Sequence, residues 1–248
     1  MTPRARRLLA SAVFLGVLLT ISAAEAHPLG NFTVNRFSRI VLLPGHVRVD
    51  YVIDMAEIPT FQTMPAIDTD HDGTASAQEL AAWATARAAI VVKHLDLSID
   101  GAPVGLAPAG AATQLLPGQG GLDTLRFEGT FVGAAPASGS LSYDDGNFTG
   151  RIGWREIVAV GAEGAALSQT NVPTASVSEE LRSYPQDLLS SPLSVDSMTA
   201  TFAPGSSGPA PEPITSDLTG AGVRTDRPLV EGGPFAGLLA NHGTALVL

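Results

Sequence analysis

The chain contains no cysteine. A disulfide framework, a thiolate zinc site and a thiol nucleophile are therefore excluded, and an ordinary core has to hold the fold. Charge is scarce as well: 15% of residues are charged and 45% are hydrophobic, a balance that supports a sizeable buried interior. The charge present leans acidic, with 24 Asp and Glu against 14 Lys and Arg, which argues against nucleic acid or anionic lipid as a partner. No apolar run reaches the roughly 20 residues of a comfortable helical membrane span. No internal repeat suggests a solenoid.

The longest apolar run, Leu8 to Ile21, follows Arg4, Arg6 and Arg7 and precedes Ala24-Glu25-Ala26, a small-x-small cleavage pattern. Residues 1–26 thus read as a secretory signal peptide, with a mature chain that starts at His27. The expected location is the periplasmic or extracellular side of the cell membrane. Removing three arginines and one glutamate makes the remainder more acidic still.

From Phe32 to Met55 apolar residues alternate with polar ones on either side of Pro44-Gly45, which predicts a β-hairpin. Pro59 suits the start of a short helix carrying Phe61 and Met64, and Leu80, Trp83, Ala84, Ala88 and Val91 form the apolar stripe of a longer one that runs to about Lys93. Strand-like segments follow at 95–99, 124–131, 140–143, 152–160, 165–170 and 197–202, separated by turn residues, and a short helix is expected over 179–189. The fold class predicted is mainly β with an α insertion. It is an immunoglobulin-like β-sandwich over residues 27–203, interrupted at about 57–94 by the helix pair. Residues 204–234 read as a disordered linker because Pro, Gly and Ser dominate, and 235–248 as a short apolar segment, the start of a truncated membrane region.

The most specific chemistry lies between the two helices. Asp68-Thr69-Asp70-His71-Asp72-Gly73-Thr74-Ala75-Ser76-Ala77-Gln78-Glu79 fits the spacing of an EF-hand calcium loop at every defined position. A hard cation takes six to eight oxygens, and alternate residues of a curled loop aim carboxylates at one point. Asp68, Asp70 and Asp72 supply three ligands. Thr74 offers its carbonyl, Ser76 binds directly or through water, and Glu79 closes the shell with both oxygens. Ala75 stands where a larger aliphatic residue pairs with a partner loop, and no second loop is present, so modest affinity for Ca²⁺ is expected.

Other candidates are weaker. An amino-terminal His27 offers an amine and an imidazole to nickel, cobalt or copper, but Pro28 has no N–H to add as a further donor. His46 and His94 have no sequence relation that brings them to it, and His71 falls at a non-coordinating position. Asp144, Asp145 and Glu156 lack a positioned nucleophile, a nearby histidine or a hydrolase spacing, so no catalysis is predicted. Trp154 and its flanking arginines read as a strand with its indole in the core and its charges at the rim.

Several segments together resemble the extracytoplasmic N-terminal region of bacterial nickel/cobalt transporters. They are His27-Pro28-Leu29-Gly30-Asn31-Phe32-Thr33, Tyr51 to Thr60, the acidic loop, Pro117 to Gly121, Gly150 to Ile157 and Glu180 to Pro185. The resemblance covers residues 27 to about 203 and implies a non-catalytic, calcium-binding accessory domain whose partner is the transporter's membrane part. Transport in that family resides in membrane helices, none of which is encoded here. The alternatives are an independent secreted calcium-dependent binding or adhesion module, and a periplasmic transition-metal carrier that uses His27.

Overall fold

Gly45, at φ +84°, turns the first hairpin, so that β1 (Val34–Leu43) and β2 (His46–Met55) pair antiparallel, with Leu43 opposite His46. The computed structural model describes residues 27–215; the expected signal peptide and the C-terminal apolar segment lie outside them. The structure is mainly β, with two sheets and two helices. After β2 come α1 (Glu57–Ile67) and α2 (Ala77–Val91), then β3 (Leu95–Ile99), β4 (Ala102–Pro103), β5 (Ala107–Pro117), β6 (Asp123–Ala134), β7 (Gly139–Asp145), β8 (Arg155–Gly161), β9 (Ala165–Ser168) and β10 (Ser197–Pro204). One sheet has the order β5-β6-β2-β1-β8 and the other β4-β3-β7-β10-β9. All pairs are antiparallel except β1 with β8. No helix among the described residues is long and apolar enough to cross a membrane.

The larger core joins the two sheets. Val47, Val49, Tyr51 and Ile53 from β2 and Phe127 and Phe131 from β6 share it with Leu97, Leu141, Tyr143 and Phe202 of the second sheet. Polar contacts cross it as well: the Tyr51 hydroxyl donates to Asp145 Oδ2 at 2.9 Å, and the hydroxyls of Ser38 and Tyr143 lie 2.9 Å apart. Burial pushes both phenol pKa values up, which keeps the hydroxyls protonated and able to donate.

The opposite face of the first sheet is covered too. Phe37, Val52, Trp154 and Val158 pack there with Leu181, Tyr184 and Ile214. Trp154 is fully buried, as expected, but in this second cluster rather than between the sheets, and its indole N–H donates to Glu156 Oε2 at 2.9 Å. Arg155 pairs with Asp196, and Asp145 meets Arg36. The helix expected over 179–189 is replaced by a left-handed turn at Glu179, Glu180 and Leu181, with only a 3-10 turn at Gln186–Leu188. Fully buried Ser178 holds that turn, because its carbonyl accepts from the N–H groups of Arg182 and Ser183, each at 2.9 Å.

Packing also continues beyond Ala203, where the linker was expected to begin. Arg48 donates to the Pro211 carbonyl, Arg39 to that of Glu212 at 2.8 Å, and Ile214 is buried. Low apolar content did not signal this, because what ties the segment down is chiefly its backbone carbonyls, which any composition supplies. Truncation after Ala203 should therefore destabilise the protein relative to a chain ending at Thr215. Losing the buried Ile214 side chain and releasing two arginines should cost about 2–4 kcal/mol, or roughly 4–15 °C in Tm, measured by thermal melting. Equal melting of the two chains would show that the segment is not part of the fold.

Candidate metal centre

α1 follows β2 directly, and the Ala56 N–H donates to the Thr33 carbonyl at 3.0 Å. Pro59 falls in its first turn, where a missing N–H is harmless. Met64 and Ile67 anchor the helix in the main core, Trp83 of α2 meets the Phe127 ring edge-on at 6.1 Å, and Arg87 lies 4.8 Å over the Trp83 ring. The loop between the helices is thus mounted at both ends. Ala75 is buried in the main core, which gives its small side chain a packing role.

The loop curls through His71 at φ 61° and Gly73 at φ +82°. This geometry turns N–H groups inward: Asp72 N–H and Gly73 N–H donate to the two carboxylate oxygens of Asp68, at 3.2 and 3.1 Å. Ser76 is the N-cap of α2. Its hydroxyl accepts from Glu79 N–H at 3.3 Å while Glu79 Oε2 accepts from Ser76 N–H at 3.0 Å, a reciprocal capping box. Glu79 Oε1 reaches across the loop to Thr69 N–H at 2.7 Å.

Glu79 is therefore both a helix cap and the strut that closes the loop. The hydrogen bonds from the Ser76 backbone N–H and hydroxyl, followed by that from the Thr69 N–H, lower its pKa from 4.5 to about 2. It is anionic at any ordinary pH.

Of the six ligands predicted, three converge. Oxygens of Asp68, Asp70 and Glu79 lie within 4.8 Å of one another, and among the described residues no other group of three or more His, Asp or Glu side chains does so. Asp72 instead turns one oxygen to the N–H and hydroxyl of Thr74, at 2.7 and 2.6 Å. The Ser76 hydroxyl is engaged with Glu79 Oε2 at 2.8 Å. Three carboxylates, Asp68 buried, Glu79 partly exposed and Asp70 exposed, offer only oxygen, which suits a hard divalent cation that keeps part of its water; Glu79 accepts five hydrogen bonds and would have to yield some of them to such an ion.

The histidine expected to offer a transition-metal contact sits elsewhere. His27 is buried, with Nε2 2.7 Å from Asp54 Oδ2 and 3.1 Å from Asn35 Nδ2, and with Nδ1 3.4 Å from both Leu29 N and Thr33 Oγ1. Tyr184 adds a hydrogen bond to the same Asp54 oxygen at 2.6 Å. Both ring nitrogens are thus occupied by the protein. This cluster was invisible in the sequence, since its members lie on four separate segments with no common spacing. His71 is exposed on the loop, as its position predicted.

Neither a family model nor a curated protein sequence matches the chain.

A carboxylate whose pKa is depressed on folding stabilises the native state above its unfolded pKa and loses that contribution as pH falls through the folded value. For Glu79 the loss falls between 4.5 and about 2. In chelator, wild type should melt above Glu79→Gln at neutral pH, and the gap should close over that acid window. A gap that persists unchanged at pH of about 2 would place its origin outside the Glu79 charge.

Proposed function

We propose that the chain is a non-catalytic, calcium-binding extracytoplasmic accessory domain associated with nickel/cobalt ion transport. In this reading the two sheets are those of an immunoglobulin-like β-sandwich, and the helix pair is an EF-hand-like insertion. The convergence of Asp68, Asp70 and Glu79 in a loop fixed at both ends is the observation that carries it. Calcium is favoured because the donors are all oxygen and the loop is irregular, whereas Mg²⁺ demands near-ideal octahedral geometry. The Thr74 carbonyl and, after a rotation of its side chain, the second carboxylate oxygen of Asp72 are close enough in sequence to complete the shell. The link to nickel and cobalt rests on the segments that resemble the transporter's soluble region. A carrier that uses His27 is disfavoured, because the ring would have to leave Asp54 and Asn35.

An ion that binds the native state alone adds about 2.7 kcal/mol when its free concentration is 100 times Kd. Melting should accordingly rise by roughly 5–10 °C in saturating Ca²⁺ relative to chelator. Asp70→Asn should weaken the rise and Glu79→Gln should remove most of it. Identical melting of all three proteins with calcium and with chelator would end the calcium reading. For the transport half, cells deleted for the gene should differ from wild type in nickel or cobalt content. Unchanged metal content would leave only the calcium-binding module.

A further inference from the structure

Asn31 and Arg151 belong to two loops at the same end of the first sheet, and their neighbours hold the two most exposed large apolar side chains among the described residues. Phe32 is 64% and Ile152 68% exposed. They line one groove, of about 190 Å³, with Ile58 and Pro59 of α1 and with Arg151.

Exposure here does not come from a loose loop. The Ile58 N–H donates to the Asn31 carbonyl at 3.0 Å, and the Val34 N–H to the Ile152 carbonyl, also at 3.0 Å, so the backbone beside each apolar residue is pinned to a regular element. Arg151 N–H is itself bonded to the Phe148 carbonyl at 3.0 Å. The groove is held open by the fold.

Its charge is equally unusual. Every other arginine among the described residues is ion-paired or, in the case of Arg87, stacked over Trp83. The Arg151 guanidinium has no such partner among the described residues, in a chain whose net charge is −10. Arginine and aromatic side chains beside a concave apolar surface are the composition of interface anchors.

We propose that this groove is a docking site for a partner polypeptide that presents an apolar side chain next to a carboxylate. The apolar side chain fills the space between Phe32 and Ile152 over Ile58 and Pro59, and the carboxylate pairs with Arg151. Three features favour a polypeptide over a lipid surface: the site is concave, its volume is that of a side chain, and the protein's acidity repels anionic headgroups. The site is independent of the metal loop, so it stands whether or not calcium binds.

The test uses the full chain with methyl-labelled isoleucine and two synthetic probes, an N-acetylated, C-amidated Gly-Leu-Glu-Gly peptide and its Gly-Leu-Lys-Gly counterpart. The Leu-Glu peptide should shift the methyl signals of Ile58 and Ile152 and bind roughly fivefold tighter than the Leu-Lys peptide, the size of one exposed ion pair. Arg151→Glu should reverse the preference, and Phe32→Ser should abolish the response to both peptides while leaving the melting temperature within a few degrees. Equal response to both peptides, or no shift of either methyl signal, would overturn the proposal. So would flotation of the wild type, but not of Phe32→Ser, with phosphatidylcholine vesicles in the absence of any peptide response, which would assign the patch to a lipid surface.

Discussion

β1 and β2 are buried on both faces, and that constraint governs the rest of the molecule. Apart from Arg39 and His46, every residue of the two strands is buried, Arg36, Arg48, Asp50 and Asp54 among them. A buried charge without a partner would cost several kcal/mol, so each has to be paired. Asp50 is paired within the hairpin, by Arg39 and Arg48, whereas Asp145 and Asp196 reach Arg36, and Tyr184 joins His27 and Asn35 at Asp54, from far along the chain. Segments with no regular structure are recruited to the fold in this way. Replacing one partner strands the other, so these networks specify where the covering segments lie more than they add to stability.

The acidic loop depends on the same sheet without belonging to it. α1 leaves β2 at Ala56, and the Trp83 and Phe127 rings bring α2 back against β6, so a stable scaffold fixes both ends of the loop. Glu79 links this packing to the chemistry, because one carboxylate caps α2 and also draws Thr69 towards Ser76. An ion bound there would meet three carboxylates that the fold has already brought together, which lowers the ordering cost of binding. A loop so braced is suited to a structural ion rather than to a large opening of its helices.

Much of this was legible where the signal was local. Alternation over 32–55 marked the hairpin, the apolar stripe of α2 was plain, and the spacing of Asp68, Asp70 and Glu79 marked the carboxylates that converge. β5 was missed because Ala, Gly and Pro are poor strand formers. Its conformation is imposed by pairing with β6 from Ala107 to Pro117. The charges that alternate along β1, β2 and β6 are covered by segments around Leu181, Tyr184 and Ile214, which nothing local reveals. Asp72 was expected to face the ion, yet its own loop offers nearer donors in Thr74. Polar contacts between distant segments leave no periodic trace in the sequence.

Calorimetric titration of the purified protein with Ca²⁺, repeated with Mg²⁺ and with the Asp68→Ala variant, tests the central claim most directly. The account predicts one calcium ion per chain, with a Kd no weaker than about 10⁻³ M, much weaker binding of Mg²⁺, and no binding to Asp68→Ala. Absence of calcium binding to the wild type, or equal binding to wild type and Asp68→Ala, would contradict it.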